Sequence, residues 1–174
     1  MGELSGEDAR PAIDGGGLRE RFWERPLDEL SRPEWEALCD GCGRCCLHKL
    51  EDADSGEVIG TNVACKLLDI GTARCKDYRG RKAFVPDCLR LTAKIVREIN
   101  WLPPTCAYRL RAEGEPLREW HYLISGDRDA VRRAGISVIG RVISETHAGP
   151  IEHHIVDWAE DWAEDWAEAG PDGR

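Results

Sequence analysis

Four cysteines fall within eight residues of this chain, in the run Cys39-Asp40-Gly41-Cys42-Gly43-Arg44-Cys45-Cys46. Four more, Cys65, Cys75, Cys88 and Cys106, follow at intervals of 10 to 19 residues. Thiols spaced by two residues, with glycine between them, can wrap one ion, because glycine lets backbone and sulfur crowd together. The chain must therefore bend to converge its sulfurs, which limits long regular elements. A metal centre is the reading that this spacing favours.

The redox compartment decides between metal and disulfide. Residues 1–20 are polar and glycine-rich, without the apolar segment of a secretory leader. No stretch approaches the ~18 apolar residues of a membrane span. The expected location is the cytoplasm, where thiols stay reduced and serve as ligands before they serve as bridges. Four disulfides are the competing reading for a protein exported by another route.

Thiolates hold zinc in tetrahedral sets of four at ~2.3 Å, and they also hold iron–sulfur clusters. Cys39 with Cys42, and Cys42 with Cys45, form two Cys-x-x-Cys pairs. The adjacent Cys46 is the oddity. Neighbouring side chains point about 100° apart on a helix and to opposite faces of a strand. Cys45 and Cys46 together therefore suit a multinuclear cluster, or two sites sharing one segment. Eight thiols allow two zinc ions, or one Fe–S cluster with four thiols over. The ferredoxin pattern and the paired knuckles of a zinc ribbon both fail to match. The metal stays open between zinc and iron, and for any isolated cysteine the plain alternative is a buried, inert thiol.

At 174 residues the chain suits one domain. We expect a disordered tail over 1–20, an α+β cysteine-cluster domain over 21–156, and an acidic Trp-repeat helix and tail over 157–174. Order is expected to begin at Phe22-Trp23. Ser31 and Glu34 form a capping-box signature for a helix over 32–38 that carries Trp35 and Leu38 on its buried face and delivers Cys39. Leu47–Leu50 and Val58–Thr61 flank a turn of Asp52, Asp54, Ser55 and Gly56 and read as a β-hairpin. Residues 65–88 read as irregular. A helix is expected from Leu89 to Ile99, with Leu91, Ile95 and Ile99 on one stripe and Arg90, Lys94 and Arg97 beside it. Thr105 is expected to cap the next helix, which ends at Gly114. Residues 136–138 and 142–143 suggest a strand pair, or one strand broken at Gly140.

The net charge of −9 belongs to the tails. Residues 157–168 repeat Asp-Trp-Ala-Glu three times and carry six acids and no base. The period of four places Trp158, Trp162 and Trp166 on one helix stripe. That stripe either lies on the core or forms a tail that docks on a partner protein. Residues 74–97 carry eight bases against Asp77 and Asp87 and are the one candidate anion-binding surface, though nucleic acid ranks last among the partners. His48, two residues past Cys46, is a ligand candidate whose plainer role is a solvent-facing strand residue. His121 reads as packed, and His153-His154 as surface. No phosphate loop, nucleophile elbow or zincin motif is present, so no reaction is named.

Four segments together carry a resemblance: RFWERPLDELSRPEWEALCDGCGRCCLHKL (21–50), TNVACKLLD (61–69), FVPDC (84–88) and WLPPTCAYRLRAEG (101–114). Over residues 21 to about 158 the chain resembles the bacterial YcgN-type family of the wider CxxCxxCC (YkgJ-like) group of zinc- or iron-chelating proteins. The resemblance implies that Cys39, Cys42, Cys45, Cys46, Cys65, Cys75, Cys88 and Cys106 all belong to one centre. It implies no activity. A more distant relative, flagellin lysine methylase, is similar in the cysteine motif alone and is associated with an Fe–S cluster. The Trp repeat departs from the family pattern beyond Asp157-Trp158.

Three functions follow as expectations. The first is a metal-binding protein organised by its eight-cysteine centre. The second is an Fe–S enzyme or redox protein acting on a protein substrate. The third is a zinc-stapled adaptor.

Overall fold

The computed structural model describes residues 17–158, and the second and third Asp-Trp-Ala-Glu units lie outside them. The chain is α+β, made of short helices around a small mixed sheet. Helix α1 spans Arg32–Leu38. It begins where expected because Ser31 and Glu34 close a reciprocal capping box, with Pro33 in the first turn. Packing starts upstream of the expected onset. Leu18 lies against the first core cluster, and Arg19 binds the buried Glu34 carboxylate through Nη2 at 2.6 Å.

Strands β1 (Leu47–Glu51) and β2 (Val58–Ala64) form the expected antiparallel hairpin. Its turn is fixed by Asp52, whose Oδ1 accepts from the Asp54 and Ser55 amides at 3.0 and 2.8 Å. The third strand of the sheet, β5 (Ile143–Ser144), pairs parallel to β2. The 65–88 stretch contains more order than expected. It holds a two-stranded ribbon of β3 (Leu68–Asp69) and β4 (Arg74–Cys75), then a one-turn helix α2 (Arg81–Phe84).

Helix α3 runs over Ala93–Glu98 and starts later than the expected Leu89, because Thr92 Oγ1 accepts from the Ile95 amide at 3.2 Å. Helix α4 spans Ala107–Ala112. Its N-cap is Cys106 and not Thr105, whose hydroxyl is buried with no partner among the described residues. Residues 136–138 are not a strand. The Val138 amide donates to Cys42 O at 3.0 Å and so joins the cysteine loop.

Among the described residues, three clusters of buried side chains make up the core. The first gathers Phe22, Leu27, Leu38, Val96, Leu102, Tyr108 and Leu117 between α1, α3 and α4. The second holds Trp120, Val131 and Ile136, and the third Leu47, Ala64, Leu68 and Val138. Trp158 packs against the second and third.

Candidate metal centre

The cysteine run sits where these clusters meet. Cys39 flanks the first, Cys42 lies in the second and Cys46 packs against the third. Cys39 caps the C-terminus of α1 and accepts at Sγ from the Gly41 amide at 3.4 Å. Gly41 and Gly43 both adopt left-handed backbone, with φ of 76° and 81°. These reversals turn the run back on itself at each Cys-x-x-Cys, a conformation that glycine adopts at little steric cost. Arg44 anchors the loop, its guanidinium donating to Ile136 O and Gly135 O.

Residues 44–46 form a single 3-10 turn, and the adjacent sulfurs do not diverge: Cys45 Sγ and Cys46 Sγ stand 4.0 Å apart. Backbone pairing brings further cysteines to this point. The Cys65 amide donates to Cys46 O at 2.9 Å, and Leu68 pairs with Cys75 across β3 and β4. Cys39, Cys45, Cys46, Cys65, Cys75 and Cys88 all line one open cleft of about 1170 Å³, while Cys42 and Cys106 do not reach it. All eight cysteines are outside disulfides.

Burial raises the Cys42 and Cys106 thiols, with the Asp40 carboxylate and neighbouring thiols adding to it. Cys46 is raised first by its contact with Cys45, then by burial and by Cys65 and Cys75. Lys49 lines the same cleft. Its ammonium donates to Leu47 O at 2.7 Å and lies 4.7 Å from the centre of the Trp101 ring. Burial lowers its pKa, while Cys45, Cys46 and Cys42 oppose that shift.

The histidines divide as follows. His48 Nε2 lies 2.7 Å from Glu145 Oε2, which joins β1 to the one-turn helix Glu145–Ala148. His121 is 1% exposed, with Nε2 at 2.9 Å from Leu38 O and Nδ1 accepting from the Leu123 amide. That pattern places its proton on Nε2, and burial lowers its pKa. His121 is packed, as expected. His154 bonds Asn62 and Ala148 O and is half-buried.

The donor set suits zinc or iron, since reduced thiols are the ligands both take. As placed, no three Cys, His, Asp or Glu side chains among the described residues enclose an ion. Sequence reasoning missed Asp40. Its Oδ1 accepts from the Cys42 amide at 2.9 Å, and its buried Oδ2 has no hydrogen-bond partner among the described residues. Its place inside the first Cys-x-x-Cys pair was the available signal.

These features define a cysteine-cluster protein of the chelating type. Residues 38–107 match the CxxCxxCC family, whose description reads "Putative zinc- or iron-chelating domain". The chain is 61% identical over 137 residues to a UPF0260 protein of Rhizorhabdus wittichii, covering 78% of this chain and 94% of that relative. UPF0260 proteins of Gluconacetobacter diazotrophicus (58% over 138 residues, 79% of this chain and 86% of the relative) and Agrobacterium fabrum (55% over 140 residues, 79% and 86%) are similar to it as well. The chain belongs to the UPF0260 family. No solved structure matches it.

Proposed function

We propose that this chain is a cytoplasmic metal-binding protein of YcgN type, with a centre of zinc, iron or an Fe–S cluster built from all eight cysteines. The observation that carries this is the convergence of six thiols from four separate segments on one cleft wall, with the Cys45 and Cys46 sulfurs 4.0 Å apart. Free thiols gathered at one place, outside disulfides, are what a thiolate metal site requires. Elemental analysis and an absorption spectrum after anaerobic purification test it. Bound zinc or iron is expected, and a fully folded chain free of both would overturn the proposal.

A second reading has one observation in its favour. The cleft beside the thiols is large and partly aromatic, lined by Trp35, Trp101 and Tyr108, with Phe84 and Leu89 exposed at its walls. An Fe–S enzyme or redox protein acting on a polypeptide would have room for its substrate there. Visible charge-transfer absorbance that bleaches on reduction is expected on this reading, and a colourless reconstituted protein would exclude it.

The adaptor reading is weaker. Arg97 is paired with Asp28 at 2.7 Å and Lys94 with Glu98 at 3.9 Å, so two of the three stripe bases already have acidic neighbours. No helix among the described residues is long and apolar enough to cross a membrane. A protein partner docking on the Trp repeat would lose binding when residues 159–168 are deleted.

A further inference from the structure

We propose that residues 159–168, the acidic Trp repeat beyond Trp158, dock back over the cysteine cleft of the same molecule. Their seat is the basic and apolar wall built by α2 and the turn that follows it. The contact needs no particular ion at the thiols.

The first repeat unit shows the mode of contact. Trp158 is the one of the repeat's three tryptophans that lies within the described residues. Its ring lies between two guanidiniums, with Arg44 and Arg141 at 5.0 and 4.9 Å from the ring centre. Its Nε1 donates to Thr61 O at 2.9 Å. Gly60 leaves the space for it, since a Cβ there would stand 3.1 Å from Trp158 Cδ1. The repeat thus binds by placing tryptophan among arginines, a pairing that the ring quadrupole favours.

The units that follow carry the same chemistry. Residues 159–168 hold Trp162 and Trp166 among five acids, Glu160, Asp161, Glu164, Asp165 and Glu168, with no base. The complementary surface is the cleft wall. Arg81, Phe84, Leu89 and Arg90 all line it, and Phe84 and Leu89 are 55% and 46% exposed. Lys82 stands exposed on α2 beside them. Lys82 and Arg90 form no ion pair among the described residues. Most of the cleft's own carboxylates are engaged. Asp28 pairs with Arg97, Glu36 accepts from the Tyr78 hydroxyl at 3.2 Å, and Glu145 accepts from the Lys66 amide at 2.8 Å. Asp87 and Glu51 are the remaining acids of the lining. Acid-flanked tryptophans therefore match this wall in both charge and polarity.

The chain is delivered to the right place. Trp158 packs against the third core cluster, and Leu47, Leu68 and Ala73 of that cluster also line the cleft. Ten residues span about 15 Å as helix and up to about 33 Å extended, enough to pass from that cluster onto α2. Docked there, the repeat closes the cleft over its thiols, and a polypeptide entering the cleft has to displace it.

The test compares the full chain with one ending at Trp158, both purified anaerobically. The amides of residues 81–90 are expected to exchange hydrogen several-fold more slowly in the full chain. That difference should shrink in about 1 M salt, where the screening length falls to about 3 Å. Trp162→Ala/Trp166→Ala and, separately, Lys82→Glu/Arg90→Glu should both exchange at the rate of the shortened chain. Carbodiimide crosslinking of mixed isotopically light and heavy full chains identifies the occupant. Lys82 is expected to join acids of the repeat within one molecule. Equal exchange in the full and shortened chains would overturn the proposal. Crosslinks found only between light and heavy chains would overturn it too, and would assign the wall to a second copy.

Discussion

Gly43 and Gly41 sit in the same loop with nearly the same backbone, yet they should respond differently to alanine. A Cβ on Gly41 meets nothing within 4 Å, so Gly41→Ala bears only the left-handed backbone, about 1 kcal/mol. A Cβ on Gly43 would stand 2.7 Å from Val138 Cγ2 and 3.0 Å from Ala73 Cβ, inside the third core cluster. Gly43→Ala should add an overpacking cost of about 1–3 kcal/mol and displace Cys42 and Cys45. Denaturant midpoints of the two variants, measured side by side, check the ordering. Equal losses would contradict it. Glu34 gives a second residue-scale outcome. Its carboxylate is held well below the usual range, first by the Arg19 guanidinium, then by the Ser31 and Arg19 amides against the opposing effect of burial. A lowered folded pKa contributes stability above the unfolded value, lost as pH falls toward the folded one. Glu34→Gln should cost about 1–3 kcal/mol at neutral pH. The gap from wild type should narrow as pH falls below about 4. A gap that stays constant through acid would show that the ion pair contributes nothing.

At the scale of elements, the pieces legible in the sequence are those fixed by their own neighbours. Helix α1 was readable because Ser31, Pro33 and Glu34 specify its first turn locally, and the hairpin because Asp52 organises the turn between its strands. What escaped depended on distant partners. Residues 136–138 have a strand-like composition, but the Val138 amide goes to the cysteine loop, and the strand pairing passes to Ile143–Ser144 beside β2. Thr92 reads as one more interior residue until its hydroxyl is seen to cap α3. The candidate site divides in the same way. Which cysteines are present is plain in the sequence, whereas the cleft that six of them line is built by contacts between distant segments, such as the Cys65 amide on Cys46 O. The C-terminal end of the described chain adds a testable contact. Trp158 Nε1 donates to Thr61 O at 2.9 Å, and the ring lies between the Arg44 and Arg141 guanidiniums, 5.0 and 4.9 Å from its centre. Trp158→Ala should cost about 1–3 kcal/mol and speed exchange of the Val156 amide, which bonds Gly60 O at 3.0 Å. Unchanged exchange there would mean that another residue holds the segment.

For the molecule as a whole, the decisive feature is how little apolar core each part owns. The three clusters are small, Trp158 bridges the second and third, and the run from Cys39 to Cys46 touches all three. An ion or cluster bound by these thiols would therefore cross-link the clusters as well as fill a site. Structural thiolate sites contribute on the order of 10 kcal/mol to folding, comparable to the whole stability of a domain this size. Because metal binds the folded chain and rarely finds a formed site in the unfolded one, its removal should shift the balance toward unfolding. Anaerobic chelation should lower the melting temperature and split one cooperative transition into separate steps for the three clusters. Cys42→Ser should do the same without chelator, since Cys42 is 8% exposed in the second cluster and its loop partner Arg44 reaches across to Ile136. Calorimetry on the loaded, stripped and Cys42→Ser chains distinguishes the outcomes. A single transition at an unchanged temperature after verified metal loss would mean that apolar packing alone joins the clusters, and that the thiols hold their ion for a purpose other than the fold.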